Sequence, residues 1–272
     1  MRIGIVAPSC RIDEDVVQRV SALAGGRAEL AWHPQCFLSD GHFAGPDAAR
    51  AEALIDFAND PSLDAIWFAR GGYGACRIVD QVVDALGPAA RDKAYLGYSD
   101  PGTMLGALYA RDIGRVAHGP LPADIRREGG EAAIVRALDW LVDGSASALE
   151  SSVGDAPTAA FNVVILAHLI GTRHLPDLTG HVLMIEEVAE YLYRTDRDLA
   201  QIVQHPSVRG VTGIRMGRIS QVPENDPDFG AEPEAVVRYW CDRAGIPFLG
   251  TADIGHDAAN KVVPFGKPSS RA

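Results

Sequence analysis

Three loops of the sequence carry residue types that could perform nucleophilic chemistry, and the first contains a serine. It is Gly97-Tyr98-Ser99-Asp100-Pro101-Gly102, between an apolar run and a helical pattern. A serine at a strand-to-helix turn projects its hydroxyl above the sheet edge, and the next backbone N–H can face an oxyanion. Pro101 replaces the second glycine of the G-x-S-x-G pattern, which disfavours a standard α/β-hydrolase. The alternative is that Ser99 or Asp100 caps the next helix, and the loop by itself favours that cap.

A base and an acid for such a serine are present in the second half of the chain. The base is the histidine of Gly255-His256-Asp257, because an imidazole titrates near neutral pH and can take the proton of a serine hydroxyl. The apolar run 182–185 is followed by Glu186 and Glu187. Successive side chains of a strand point to opposite faces, so one carboxylate can orient the histidine while the other faces elsewhere. The alternative for His256 is an ordinary surface histidine. The alternative for Glu186 and Glu187 is a solvated strand end.

The third loop, Arg70-Gly71-Gly72-Tyr73-Gly74, is rich in glycine and follows another apolar run. Its backbone can turn sharply and present N–H groups to a phosphate, a carboxylate or a developing oxyanion. It does not match G-x-G-x-x-G, and the chain contains no G-x-x-x-x-G-K-[ST] run, so nucleotide binding has little support. No H-E-x-x-H or comparable spacing predicts a metal site. The alternative for this loop is a tight turn that binds nothing.

The elements that must position these loops alternate along the first half of the chain. Helical patterns separate short apolar runs at 3–7, 28–32, 65–69 and 94–97. This alternation predicts a parallel sheet with helices on both faces, in which ligands bind beyond the carboxyl ends of the strands. We expect Asp13 to cap the first helix and Pro46 to open the second.

Composition divides the chain into two domains. Small and polar residues dominate the segment 144–157, which predicts a linker. We therefore expect an N-terminal domain over residues 1–143 that carries the serine. A smaller, mixed α/β C-terminal domain over residues 158–272 would carry the glutamate and the histidine, with the site between the two.

Composition and the lengths of the apolar segments disfavour several classes of function. The 272 residues carry 25 basic and 36 acidic side chains, a net charge of −11 that disfavours nucleic acid and anionic membranes as partners. The N-terminal apolar run is too short for a signal peptide, and the longest uncharged stretch, 156–172, is too short to span a bilayer. The four cysteines form no C-x-x-C pair. We expect a soluble, cytoplasmic protein with reduced thiols.

In combination these segments resemble the LD-carboxypeptidase A family, which includes the microcin C self-immunity peptidases. The resemblance covers nearly the whole chain, and the pairing of Arg-Gly-Gly-Tyr-Gly with Gly-Tyr-Ser-Asp is its most specific part. The matching residues are Phe43-Ala44-Gly45, Arg50-Ala51, Ala69 to Gly74, Leu96 to Asp100, His118-Gly119-Pro120, Asn162, Gly171-Thr172, Ile185-Glu186-Glu187, Glu190, Tyr193, Asp196, Arg197 and Gly255-His256.

The resemblance implies a catalytic triad and an oxyanion hole. Ser99 would be the nucleophile, His256 its general base and Glu186 the acid that orients His256. The backbone N–H groups of Asp100 and Gly72 would stabilise the oxyanion. The family needs neither a metal nor a cofactor and commonly forms dimers, so we expect a homodimer without either.

The reaction implied by the resemblance is hydrolysis of the amide bond to a terminal D-amino acid, as in the release of D-alanine from murein tetrapeptides. We expect Arg70 to hold the carboxylate of that D-amino acid, with a structural ion pair as the alternative role. We expect Tyr73 to contribute to substrate binding. Two departures leave the substrate open: Ala160-Phe161-Asn162 replaces the usual Gly-Gly-Asn, and Glu186-Glu187 the usual Glu-Asp. The alternatives are a microcin C-type peptidase acting on aminoacyl-nucleotide analogues and a non-catalytic muropeptide-binding protein.

Overall fold

The chain forms two sheets with helices packed around them, as seen in a computed structural model that describes residues 1–267. The last residues of the predicted C-terminal domain, 268–272, lie outside the described part. The α/β class with a parallel N-terminal sheet, predicted from the alternation of apolar runs and helical patterns, is confirmed. The first half contains β1 (Arg2–Val6), α1 (Glu14–Ala24), β2 (Glu29–Trp32), α2 (Asp47–Asn59), β3 (Ala65–Phe68), α3 (Ala75–Asp84), β4 (Ala94–Gly97), α4 (Gly102–Tyr109), β5 (Arg115–His118) and α5 (Gly130–Asp143).

The second half builds a smaller parallel sheet and then returns to the first. A short 3₁₀ turn at Ala146–Ala148 precedes the second sheet. The elements of the second half are β6 (Thr158–Asn162), α6 (Val163–Leu169), β7 (Val182–Val188), α7 (Leu192–Ile202), α8 (Pro206–Arg209), β8 (Gly213–Ser220), α9 (Pro233–Ala244), β9 (Phe248–Thr251) and β10 (Val263–Pro264). The strands of the second sheet lie in the order β6-β7-β8-β9.

The first sheet has the order β10-β5-β4-β3-β1-β2. The pairs among β1 to β5 are parallel, whereas β10 is antiparallel to β5, with Val263 opposite His118. The strands β3 and β4 are buried along their whole length, as expected for a parallel sheet covered on both faces. They are also neighbours, so the glycine-rich loop after β3 and the serine loop after β4 begin at the same edge of the sheet.

Helices α4 and α6 join the two halves through close contact. At Gly102 and Gly106 of α4, an added Cβ would lie 3.4 Å from Ile165 and 2.8 Å from Leu169 of α6. The 2.8 Å distance is shorter than Cβ contacts in proteins, so Gly106 allows the two helices to approach each other, whereas 3.4 Å at Gly102 is an ordinary contact. One continuous apolar cluster includes Phe68 of the first sheet and Leu183 of the second sheet. The two halves consequently share a core.

Candidate active site

Ser99 lies at the turn between β4 and α4 in a backbone conformation that non-glycine residues rarely adopt, with φ of 61°. Such a strained turn is typical of serine nucleophiles that are exposed at a strand end. An added Cβ on Gly71 would lie 2.9 Å from the Ser99 Oγ, so the glycine-rich loop passes directly beside the hydroxyl. Neither Ser99 nor Asp100 caps α4, because Pro101 occupies the N-cap position and its side chain makes no capping hydrogen bond within the described part of the chain. The capping alternative is therefore not supported.

The Asp100 side chain ties the serine turn to the glycine-rich loop. It is buried, and its Oδ2 accepts hydrogen bonds from the Ser9 hydroxyl and from the Ala75 backbone N–H at 2.8 Å. Burial raises the pKa of Asp100, and these hydrogen bonds oppose that rise. Ala75 directly follows Gly74, so one carboxylate connects both loops from which the oxyanion donors were predicted.

Arg50 of α2 stabilises the glycine-rich loop. Its side chain is fully buried and donates to the carbonyl oxygens of Gly74 at 2.9 Å, Gly45 at 3.3 Å and Pro8. Gly72 and Gly74 have φ values of 117° and 134°, which favour glycine strongly. The loop thus has a defined conformation maintained by a buried cation.

Glu186 and His256 are in direct contact. The Nδ1 of His256 lies 2.6 Å from Oε2 of Glu186, and both side chains are buried. The pairing of β7 with β8 is irregular between Ile185 and Glu187, and such irregularities redirect side chains next to active sites. Because the glutamate accepts from Nδ1–H, the neutral imidazole has an unprotonated Nε2 that can act as a base.

Glu187 points away from this pair and stabilises the start of α6. Its carboxylate accepts hydrogen bonds from the Asn162 side chain at 2.7 Å and from the backbone N–H groups of Val164 and Val188. Burial raises the pKa of Glu187 to about 7, although these hydrogen bonds lower it. The two consecutive glutamates therefore have different surroundings, as the strand geometry predicted.

Opposing effects act on the protonation of His256. Burial lowers its pKa, while the charge of Glu186 and the hydrogen bond to it raise the pKa; the result lies above the ordinary value of 6.5. The ring packs against Tyr98, with centroids 4.8 Å apart. The Tyr98 hydroxyl donates to Asp124 Oδ1 at 3.0 Å, which holds the aromatic ring in place.

A cavity of about 330 Å³ brings Ser99, His256 and three arginines together. Arg126 pairs with Asp13 and Asp15, and Arg127 pairs with Asp124. Arg70 is exposed and donates one hydrogen bond, to the Arg11 carbonyl at 3.1 Å. Among the described residues no carboxylate pairs with it, so its guanidinium is available to an anionic ligand.

Tyr73 lies outside this cavity. It lines a second, largely apolar cavity of about 430 Å³ between α3 and α6, which Gly72 and Asp100 also line. The exposed Tyr73 ring packs near His42 and Phe43, at centroid distances of 6.2 and 5.9 Å. Tyr73 and Ser99 therefore line different cavities, and Gly72 lines both.

Sequence reasoning overlooked Ser9 and the acidic residue Asp124. Ser9 follows the carboxyl end of β1, so the rule that singled out the loops after β3 and β4 also applies to it. Asp124 had no comparable signal, because its partners Tyr98 and Arg127 are recognisable only in the fold.

Within residues 1–267 no group of three or more histidine, cysteine, aspartate or glutamate side chains is suited to bind a metal ion. No helix in the same range is long and apolar enough to cross a membrane.

Comparison with protein families finds two matches that cover most of the chain. Residues 3–119 match the LD-carboxypeptidase N-terminal domain. Residues 157–270 match the LD-carboxypeptidase C-terminal domain. The first match contains Ser99 and the glycine-rich loop, and the second contains Glu186 and His256.

Individual proteins agree with these matches over nearly their full length. A provisionally named carboxypeptidase of Streptomyces coelicolor is 30% identical, covering 98% of this chain and 89% of its own. The murein tetrapeptide carboxypeptidase of Pseudomonas aeruginosa is 25% identical, covering 98% and 91%.

Solved structures show the same fold. The muramoyltetrapeptide carboxypeptidase of Oxalobacter formigenes superposes with a TM-score of 0.78 at 22% identity, over 97% of this chain and 93% of its own. A microcin C7 self-immunity protein in complex with aspartyl sulfamoyl adenosine also gives 0.78, at 16% identity and over 97% and 91%. At these identities the similarity establishes the fold alone.

Proposed function

Because the chain belongs to the LD-carboxypeptidase family, we propose that it hydrolyses the amide bond to a C-terminal D-amino acid, such as the D-alanine of a murein tetrapeptide. Ser99 is the nucleophile, His256 the general base and Glu186 the acid that orients it. The observation that carries the proposal is the cavity in which Ser99 lies with the Glu186-bound His256 and Arg70, which pairs with no carboxylate of residues 1–267.

In the first step, Nε2 of His256 takes the proton of the Ser99 hydroxyl as the oxygen attacks the scissile carbonyl. The negative charge of Glu186 stabilises the imidazolium that forms, and its hydrogen bond to Nδ1 keeps Nε2 as the basic nitrogen. The carbonyl oxygen becomes an oxyanion and accepts hydrogen bonds from the backbone N–H groups of Gly72 and Asp100. Loss of one such donor typically costs about 3–4 kcal/mol of transition-state stabilisation.

In the second step, the imidazolium of His256 protonates the leaving amine and the D-amino acid departs. Water, activated by the same histidine, then hydrolyses the acyl-enzyme and restores the Ser99 hydroxyl. Arg70 holds the carboxylate of the departing D-amino acid, because it is the arginine of the cavity that no described carboxylate neutralises. A site of this kind selects peptides with a free C-terminal carboxylate.

The experiment that tests this proposal measures D-alanine released from a murein tetrapeptide by purified protein and by its Ser99→Ala variant. We expect release by the wild type and a loss of at least about 10³-fold in the variant, because a serine triad without its nucleophile retains only residual catalysis. Equal release by both proteins would remove Ser99 from the mechanism. No release by either would contradict the D-alanine substrate, and would also be the result for a non-catalytic muropeptide-binding protein.

A second candidate is hydrolysis of aminoacyl-nucleotide analogues, as in a microcin C-type peptidase. The exposed Tyr73 ring beside the apolar cavity between α3 and α6 favours it, because an aromatic face at the rim of such a cavity can stack on a purine. Cleavage of an aminoacyl sulfamoyl adenosine, weakened in Tyr73→Ala, would support this reaction. Cleavage of the tetrapeptide alone would exclude it.

We propose that residues 1–143 and 158–272 act as two domains joined by 144–157, with the active site formed where they meet. The homodimer and the cytoplasmic location stay predictions from the sequence and the family resemblance. Analytical ultracentrifugation of the purified protein tests the dimer.

A further inference from the structure

The His118-Gly119-Pro120 motif has no part in the proposed reaction, yet it lies beside the residues that perform it. His118 is the last residue of β5 and is 1% exposed. Its Nε2 lies 3.1 Å from Oδ1 of Asn260, which is fully buried. His118 belongs to the first sheet, whereas Asn260 belongs to the loop that carries His256. This hydrogen bond therefore links the proposed base to the half of the molecule that carries Ser99.

The two groups that donate hydrogen bonds to Asn260 Oδ1 can be assigned from their chemical types. The Gly255 backbone N–H can only donate, and it lies 3.1 Å from the same Oδ1. The amide oxygen therefore faces both groups, and His118 must donate through a protonated Nε2. Burial lowers the pKa of His118 to about 4, so near pH 7 the ring is neutral and its single proton is on Nε2. Asn260 Nδ2 has no partner among the described residues, so Oδ1 alone holds the side chain.

The hydrogen bond to Gly255 acts on the backbone immediately before His256. An added Cβ on Gly255 would lie 2.9 Å from Arg218, so the chain has little room to shift on that side. Arg136 binds the carbonyl oxygens of Ala258 and Asn260, which holds the part of the loop after His256. Asn260 accordingly holds the backbone before His256, and Arg136 holds the backbone after it.

The Tyr98 ring completes the connection between His118 and His256. Its centroid lies 5.3 Å from that of His118 and 4.8 Å from that of His256. Tyr98 directly precedes Ser99, so the same residue touches both histidines and the nucleophile's turn. A displacement of the His118 side chain would therefore reach His256 through the ring as well as through Asn260.

We propose that His118 and Asn260 are positioning residues. They hold His256 in position relative to Ser99 through the backbone N–H of Gly255. The inference rests on the proposed function, because it takes His256 to be the general base. It adds two side chains that touch neither the substrate nor the reacting atoms.

The test is the rate at which a fluorophosphonate labels Ser99 in the full-length protein, because this reaction needs the serine and its base but no particular peptide. His118→Leu removes the donor and Asn260→Ala removes the acceptor, and we expect each to slow labelling by about 10-fold or more. His118→Gln keeps a donor near the position of Nε2 and should label within about threefold of the wild-type rate.

Asn59→Ala is the matched control, because Asn59 Oδ1 accepts the Gly87 N–H at 2.6 Å in the same manner and Asn59 does not line the Ser99 cavity. It should leave the labelling rate unchanged. If Asn260→Ala does not fold, the comparison of His118→Leu with His118→Gln carries the same test.

A double-mutant cycle separates positioning from a purely structural role. With the base already removed in His256→Ala, adding Asn260→Ala should slow labelling by less than about twofold, because the residue acts through the base. The rise of the wild-type labelling rate with pH should also disappear in Asn260→Ala. Equal fold-losses in both backgrounds, or wild-type labelling by His118→Leu, would overturn the proposal.

This proposal and the proposed function fail in different ways. Wild-type protein that labels at Ser99 but releases no D-alanine contradicts the substrate, and the variants still test positioning. Wild-type protein that does not label at Ser99 overturns both.

Discussion

At His256, a single hydrogen bond determines which ring nitrogen is free to take the proton of Ser99 in the proposed mechanism. Glu186 Oε2 accepts a hydrogen bond from Nδ1–H of His256 at 2.6 Å, and both side chains are buried. The arrangement keeps Nε2 unprotonated in the neutral imidazole, and it also makes the imidazolium easier to form. Both effects favour a general base that works near neutral pH.

The first prediction concerns the pH dependence of this base. Because the pKa of His256 lies above its ordinary value of 6.5, kcat/KM should rise with pH and reach half of its maximum above pH 6.5. Glu186→Gln removes the charge that raises the pKa, so the midpoint should move to lower pH and the maximal rate should fall. Initial rates on the tetrapeptide from about pH 5 to 8 measure both. A flat wild-type profile would contradict the assignment of His256 as base.

The second prediction concerns the exposed guanidinium of Arg70. Arg70→Met should lower kcat/KM for the tetrapeptide by about 10- to 100-fold, because a hydrogen bond to a charged group contributes about 1.5–3 kcal/mol. For the same peptide with a C-terminal amide, wild type and variant should differ little. Arg173→Met, an exposed arginine outside the Ser99 cavity, is the control. An equal loss of kcat/KM on both peptides would show that Arg70 does not bind the C-terminal carboxylate.

At the scale of elements, the loops that follow β1, β3 and β4 meet at one edge of the first sheet and hold each other there. Ser9 follows β1 and binds Asp100, which follows β4 and binds the backbone of Ala75 after β3. Arg50 of α2 joins the loops after β1 and β3 by donating to the carbonyl oxygens of Pro8 and Gly74. The conformation of the site therefore depends on cross-links between loops.

The third prediction follows from the burial of Arg50. Arg50→Met should lower the free energy of unfolding by about 3–5 kcal/mol, because buried carbonyl oxygens lose their donor and Asp47 loses a partner. Arg77→Met is the matched control, since Arg77 pairs with the same Asp47 but is exposed, and it should cost less than about 1 kcal/mol. Urea denaturation measures both. Similar costs for the two variants would show that the buried contacts add no stability.

At the scale of the whole molecule, the C-terminal segment joins the two halves. β10 pairs with β5 of the first sheet, while Thr158 of the second sheet exchanges backbone hydrogen bonds with Gly266. The loop that carries His256 consequently begins at β9 in the second sheet and ends in the first. The proposed base is thereby delivered to the edge where Ser99 lies.

The fourth prediction tests this junction. Phe265 is buried between Phe161 and Tyr109, with centroids 5.0 and 5.5 Å away, so it contacts both halves. Phe265→Ala should reduce the free energy of unfolding by about 3–5 kcal/mol and reduce activity, because a cavity opens at the junction. Tyr239→Ala, which truncates an exposed aromatic ring, should cost less than about 1 kcal/mol. A Phe265→Ala protein with wild-type stability would contradict the bridging role.

Local patterns of the sequence were sufficient for the fold class and for the ends of the strands that carry candidate residues. Apolar runs of strand length alternate with helical patterns, and the rule that ligands bind beyond the carboxyl ends of parallel strands led to the loops at Ser99 and Gly72. Capping was less predictable. Asp13 occupies the N-cap position of α1 but makes no capping hydrogen bond, and its carboxylate binds Arg126 instead. A distant cation competes for the side chain, and local sequence carries no information about it.

Contacts between distant segments required the tertiary structure. The pairing of Glu186 with His256 joins residues 70 positions apart, and the pairing of His118 with Asn260 joins residues 142 positions apart. The sequence identified the residue types, because serine, glutamate and histidine each follow an apolar run. It could not show that Glu187 faces α6, that Tyr73 faces a second cavity, or that β10 returns to the first sheet, since these follow from the packing of both halves into one core.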